Sequence, residues 1–170
     1  GDRILIVDAD LHRPRQHKIM GVSNSMGIAN VLVGEIEMED AVLATSVSNL
    51  DFLPSGRIST GVHGLMDSSR MKGIIDELRT SYDIVFFDSP PIIGVSDTSM
   101  LVREVDAVMQ VIQHRKYPLA LSMRARNVVE NVGGNHMGVV MNRINATRDY
   151  SYYYYHHHYY SDPQKPGGMG

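Results

Sequence analysis

Arg3-Ile4-Leu5-Ile6-Val7-Asp8-Ala9-Asp10-Leu11-His12-Arg13-Pro14 is the stretch on which the fold turns. Its first five residues form a short, apolar, β-branched run that stops abruptly at two acids. A run of this length with no polar alternation reads as a strand buried on both faces. Working outward, similar runs recur at Leu50–Leu53, Asp83–Phe87 (DIVFF), Ala107–Ile112 (AVMQVI) and Met137–Met141 (MGVVM). Helical spacing fills the intervals. Gly27–Val33 (GIANVLV) is closed by Gly34, and Glu37–Leu43 makes a second short helix. Met71, Ile74, Ile75 and Leu78 share one face of a helix that begins near the cap candidates Asp67-Ser68-Ser69 and runs to about Ser81. Ser96 to about Glu104 is helical, and Leu121, Ala125, Val128, Val129 and Val132 mark a helix closed by Gly133-Gly134. The segment around Pro14 reads as a polar connection. Strands alternating with helices predict an α/β domain, a parallel sheet flanked by helices. Ligands of such sheets bind beyond the carboxyl ends of the strands.

The chain's 170 residues suit one core, and 43% hydrophobic with 21% charged residues is globular composition. A net charge of −3 gives no general field for nucleic acid, which is not expected as a partner. There is no cysteine, so disulfides and thiolate chemistry are excluded. No apolar run approaches the roughly 18–20 residues that cross a bilayer. Gly1-Asp2-Arg3 has neither an initiator Met nor signal-peptide anatomy, and the expectation is a piece of a longer protein.

Two of the strands end in aspartate at the rim where ligands bind. Asp8 and Asp10 follow the first, and Asp88 follows DIVFF. Carboxylates at the end of a buried strand are costly unless a cation sits nearby. Magnesium, a hard ion that keeps waters and substrate phosphates in its shell, is the natural candidate, and a strand-terminal aspartate serves it in P-loop NTPases. The plainer alternative is that these aspartates start turns or cap helices.

ILIVDADLHRP resembles the Walker A′ motif of bacterial tyrosine kinases of the polysaccharide co-polymerase group, and VFFDSPP (Val85–Pro91) resembles their Walker B motif. The resemblance continues through Leu53–Gly56 (LPSG), Ser68–Met71 (SSRM), Tyr82–Asp97 and Gly138–Ile144 (GVVMNRI), and ends in a tyrosine cluster. It implies the P-loop NTPase fold of the MinD/ParA-like ATPases, with ATP and Mg²⁺ as cofactors. It implies that Asp8 and Asp10 are the catalytic Walker A′ acids, assisting magnesium and activating the attacking tyrosine hydroxyl. Asp88 would support magnesium as the Walker B acid, and Asn142 matches an asparagine that lies against adenine; a strand-terminal turn residue is the alternative for it. Two departures stand out. His12 replaces a customary basic residue, and Arg57-Ile58-Ser59-Thr60-Gly61 replaces a proline-rich segment.

No G-x-x-x-x-G-K-[ST] stretch, the cradle for nucleotide phosphates, occurs in the sequence. The expectation is a partial domain over residues 1–149 that lacks the Walker A strand, loop and helix. It should be inactive by itself and carry a gap or exposed apolar edge in its sheet. Residues 150–170 read as a disordered, tyrosine-rich tail. Seven tyrosines, Tyr150, Tyr152, Tyr153, Tyr154, Tyr155, Tyr159 and Tyr160, fall within eleven residues as candidate phospho-acceptors. His156-His157-His158 lacks a fourth ligand at sensible spacing for a transition metal.

The resemblance implies a protein-tyrosine autokinase acting in trans within a homo-oligomer. It would control capsule or exopolysaccharide assembly at the cytoplasmic face of the membrane, with a membrane chain-length-determinant segment or an activator protein as partner. The alternatives are a partition-type ATPase without kinase activity, and a non-catalytic phospho-acceptor or scaffold module.

Overall fold

The computed structural model describes residues 1–57 and 69–145. In chain order the elements are β1 (Ile4–Asp8), α1 (Gln16–Met20), α2 (Ile28–Val33), α3 (Met38–Ala41), β2 (Leu43–Ala44), β3 (Leu50–Leu53), α4 (Ser69–Ser81), β4 (Ile84–Asp88), α5 (Ser96–Glu104), β5 (Val108–Gln113), α6 (Leu119–Asn131) and β6 (His136–Asn142). The strands form a four-stranded sheet in the order β2-β3-β1-β4 and a separate pair, β5-β6.

β1 occupies the middle of the larger sheet. It runs parallel to β3, with Ile4 beside Leu50 and Val7 beside Leu53, and parallel to β4, with Ile4 beside Ile84 and Asp8 beside Asp88. Its start is fixed from both flanks. The backbone N–H of Arg3 donates to Asp83 Oδ2 at 2.8 Å, and the Arg3 guanidinium lies 4.9 Å from the centre of the Tyr82 ring. The Tyr82 hydroxyl in turn donates to Asp51 Oδ2 at 2.9 Å. Leu5 and Val7 project into a core filled by Ile28, Val31 and Leu32 of α2 and by Met71, Ile74, Ile75 and Leu78 of α4. Those four α4 positions are the ones whose spacing predicts a helix, and each is buried.

The expected helices are present, and α2 ends where Gly34 adopts φ 80° and donates its N–H to the carbonyls of Asn30 and Val31. The cap candidates Asp67 and Ser68 lie outside the described residues. Three expectations need correction. The polar segment after Pro14 contains a short helix, α1. The sheet is not wholly parallel, because Leu43–Ala44 turns back antiparallel to β3; the Thr45 hydroxyl closes that turn by donating to the Leu50 carbonyl at 2.7 Å.

The third correction concerns burial. β4 is not a strand buried on both faces: Val85 and Phe87 pack on the core, whereas Phe86 is 56% exposed and Ile84 is also open. β5 and β6 likewise leave Met109, Val111, Met137 and Val139 exposed. Among the described residues β4 bonds only to β1 and β5 only to β6, so each sheet fragment keeps an unpaired edge beside these open faces. α6 buries only Ala125 and Val129 of its apolar face.

A tight backbone crossing fixes the loop after β3. Gly27 and Ser55 form an isolated bridge, and a Cβ on Gly56 (φ 78°) would sit 2.2 Å from Asn30 Oδ1 and 2.7 Å from the Gly27 nitrogen. Gly73, inside α4, has no atom within 4 Å of such a Cβ. Gly56→Ala should therefore destabilise the chain by at least about 2 kcal/mol, through overpacking against atoms that cannot move aside. Gly73→Ala should stabilise it by about 0.4–1 kcal/mol, through the unfolded state. Urea denaturation of both variants checks the pair, and a neutral Gly56→Ala would contradict the packing described.

Candidate acid site at the β1–β4 rim

The two strand-terminal aspartates arrive side by side. Asp8 and Asp88 are paired positions in the β1–β4 ladder, and the Ala9 N–H extends that ladder by donating to the Asp88 carbonyl at 2.8 Å. Asp8 is fully buried, whereas Asp88 is open to solvent. Asp8 accepts two backbone N–H groups, from Gln16 to Oδ2 at 3.0 Å and from Asp10 to Oδ1 at 3.4 Å. No Lys or Arg among the described residues forms an ion pair with either aspartate. Burial pushes the Asp8 carboxyl above the ordinary carboxylate range, and the charge of Asp88 adds to the push; the hydrogen bonds from Gln16 and Asp10 oppose it.

Gln16 joins the pair. Its backbone bonds Asp8, and its side-chain amide donates to Asp88 Oδ2 at 2.5 Å across 72 residues of sequence. Nothing local in the sequence distinguishes Gln16 from the other polar residues around Pro14, so sequence reading misses it. His12 is a second link of this kind. Its Nε2 lies 3.1 Å from Asp97 Oδ2, tying the loop after β1 to the first turn of α5. α5 is further held to the segment after Asp88 by the Thr98 hydroxyl, which donates to the Pro90 carbonyl at 3.1 Å.

Asp10 is placed differently from its two companions. Its Oδ1 accepts the backbone N–H groups of Arg13 at 2.9 Å and His12 at 3.2 Å, which makes it the anchor of the turn after β1. Among the described residues, no group of three or more Asp, Glu, His or Cys side chains gathers in a metal-binding arrangement. Asn142 ends β6 beside Gln113, and its Oδ1 accepts the Arg143 N–H at 2.7 Å, closing a turn in which Arg143 has φ 57°. No hydrogen bond among the described residues joins Asn142 to the aspartates. Tyr150, Tyr152, Tyr153, Tyr154, Tyr155, Tyr159 and Tyr160 lie outside the described residues.

The donor set at the rim fits a hard divalent cation. It offers all-oxygen ligands and a buried carboxylate without a cationic partner. Magnesium is commonly held by one or two carboxylates, the rest of its shell being water and phosphate oxygens. Asp8 and Asp88 supply such a pair.

Residues 1–133 match the family described as AAA domain. The tyrosine-protein kinase YwqD of Bacillus subtilis is 32% identical over 154 residues, which cover 89% of this chain and 65% of that protein. The putative tyrosine-protein kinase CapB of Staphylococcus aureus is 31% identical over 152 residues, covering 89% of this chain and 67% of that one. The chain thus spans about two thirds of the length of these relatives. Among solved structures, the chimerical protein CapA2B2 superposes with a TM-score of 0.80 at 28% identity, over 85% of this chain and 64% of that one. The septum site-determining protein MinD of Pyrococcus horikoshii, solved with Mg-ADP, shares the fold at a TM-score of 0.69 and 23% identity, over 85% and 59% of the two chains. With two strand-terminal acids abreast on a mixed sheet of this architecture, the chain belongs to the AAA-domain family and, within it, to the bacterial tyrosine kinases.

Proposed function

We propose that these residues form the acid half of the active site of an ATP-dependent protein-tyrosine autokinase, with Asp8, Asp10 and Asp88 serving magnesium and the attacking hydroxyl. The observation that carries the proposal is the pairing of Asp8 with Asp88 at one rim, with a carboxylate buried and no Lys or Arg among the described residues in an ion pair with it. Magnesium, when bound, supplies the positive charge that the phosphates and the developing transition state require. Asp88 is the exposed member and would help to hold the ion. Asp8, held by two backbone N–H groups and raised in basicity by its surroundings, is placed to take the tyrosine proton as the phenolic oxygen attacks the γ-phosphorus. In that step the new O–P bond forms, the β–γ bridging bond breaks, and ADP leaves with the electron pair. Asp10 acts from the turn it anchors, and Asn142 is assigned to the adenine.

The tail tyrosines are the proposed acceptors, delivered by a second copy of the protein. Each phosphate adds about −1.5 to −2 charges, so a heavily modified tail repels itself and its neighbours. The regulated process is proposed to be capsule or exopolysaccharide assembly at the inner face of the membrane. A membrane chain-length-determinant segment or activator protein is the proposed partner. No helix among the described residues is long and apolar enough to cross a membrane.

Two measurements test this reading. The natural gene product carrying these residues, incubated with ATP and magnesium, should place phosphate on tyrosines of the 150–160 cluster, as read by mass spectrometry. Asp8→Asn and Asp88→Asn should each lower the incorporation roughly 100-fold or more. The 170-residue chain by itself, which contains no G-x-x-x-x-G-K-[ST] sequence, should show none. Unmodified tyrosines in the active natural protein would defeat the kinase assignment.

The second measurement uses the raised Asp8 carboxyl. Its folded-state pKa lies above its unfolded value, so the folded chain binds the extra proton. This group's contribution is thus most favourable at low pH, and it is lost as pH rises from the unfolded pKa through the folded one. Denaturation of wild type and Asp8→Asn over that window should show wild type losing stability relative to the variant, and saturating MgCl₂ should restore wild type only. Parallel pH profiles, or equal magnesium responses, would contradict the site.

A further inference from the structure

Beside the acids lies a cavity of about 380 Å³ between the segment after β1 and the loop after β3. Its lining divides by chemistry. Leu11, Pro14 and Ala29 form an apolar side, and His17, Lys18 and Arg57 contribute the basic groups. No acid among the described residues lies within ion-pair distance of Lys18 or Arg57. His17 closes the basic side, its Nδ1 shut away from water and without a hydrogen-bond partner behind the cavity wall.

The walls are rigid. Asn24 Oδ1 accepts the Ser55 hydroxyl at 3.0 Å and the Gly56 N–H at 3.1 Å, and Asn30 Nδ2 donates to the Arg57 carbonyl at 3.0 Å. These bonds fix the backbone that carries Arg57. On the opposite wall, Lys18 lies two residues after Gln16, whose N–H is bonded to Asp8. The cavity is therefore held in register with the acid pair.

We propose that this cavity is a subsite for an aryl phosphate, specifically a phosphotyrosine side chain of a second copy's tail. The inference rests on the kinase reading for the identity of the ligand, though not for the binding itself. A phenyl ring matches the Leu11, Pro14 and Ala29 side, and the phosphate meets Lys18 and Arg57. Inorganic phosphate satisfies only the cations and leaves the apolar side wet. The acid pair next door repels a phosphorylated side chain, so a product that is to stay bound must move to positive charge. Retention there keeps a tail engaged while a neighbouring tyrosine of the same cluster, seven in eleven residues, reaches Asp8. Phosphorylation of the tail then proceeds with several additions per encounter.

The test is calorimetric titration of the 170-residue chain, without nucleotide or magnesium, using four probes: a peptide of residues 150–160 phosphorylated on Tyr153, the same peptide unmodified, phenyl phosphate and inorganic phosphate. Phenyl phosphate should bind at least about tenfold more tightly than inorganic phosphate, from burial of the ring, and the phosphopeptide at least about tenfold more tightly than the unmodified peptide, from one or two charge-assisted contacts. Lys18→Ala and Arg57→Ala, both at exposed positions, should each weaken the phosphopeptide about tenfold, and Lys18→Arg should retain it. Melting curves of these variants should match wild type. Equal affinity for phenyl phosphate and inorganic phosphate would overturn the subsite, as would phosphopeptide binding indifferent to both alanine variants. Because no nucleotide is used, loss of binding counts against the subsite alone. A natural protein that never phosphorylates tyrosine counts against the kinase reading alone.

Discussion

The site depends on a carboxylate forced into the interior. Asp8 sits at the end of the central strand, fully buried, with Asp88 as its register partner. Desolvating an anion costs several kcal/mol. Two backbone N–H bonds to a charged acceptor return about 1.5–3 kcal/mol each, and the weaker of the two is long at 3.4 Å. Burial outweighs these bonds, so the Asp8 carboxyl is raised, and the charge of Asp88 adds to the push. The rim is thus anionic and short of positive charge. A cation there has most of its interaction energy supplied in advance, because the geometry is fixed by the ladder and by Gln16.

The sequence made part of this legible. An apolar run that ends in acid is visible locally, and so is the i, i+3, i+4 face of α4, because both patterns follow from backbone periodicity. The pairing of Asp8 with Asp88 is not local. It needs β4 to lie next to β1, and only the resemblance to a known family suggests that. Gln16 was illegible for the same reason: its partners are Asp8, across an irregular connection, and Asp88, on a distant strand. Asp10 shows the opposite error of emphasis. Two acids two residues apart look alike in sequence, yet Asp8 is enclosed by β1's neighbours and Asp10 turns out to bind the N–H groups of the following turn. The bland reading of an aspartate as a turn former describes Asp10's hydrogen bonds, while Asp8 carries the electrostatic burden.

Burial was the least legible property. VFFD reads as strongly apolar whichever way it faces, and a strand covered on both faces cannot be told from one with a single partner. Ile84 and Phe86 alternate with the core-facing Val85 and Phe87, so they lie on the other face of the sheet and stay exposed, and among the described residues β4 has a strand neighbour on one edge only. The β5–β6 pair has the same defect on its own edge. Exposed strand edges with apolar side chains invite association with another strand, which makes β4 and β5 an aggregation liability of the 170-residue chain, beside the open apolar face of α6.

Charge around the rim is arranged in sequence over very short distances. Asp8 and Asp10 are followed at once by His12, Arg13, Arg15, His17 and Lys18, so the chain passes from an acidic floor to a basic wall within a dozen residues. Separate fields of this kind survive only if the backbone between them is fixed; a floppy loop would let the cations fold back onto the acids and neutralise both. The fixing bonds are those from Gln16 to Asp8, from the turn N–H groups to Asp10, and from His12 to Asp97. They keep Lys18 and Arg13 from pairing with the carboxylates a few residues away. On the proposals above, two anion preferences would then lie close together in the chain: one for phosphate held through a metal ion, and one for phosphate held directly.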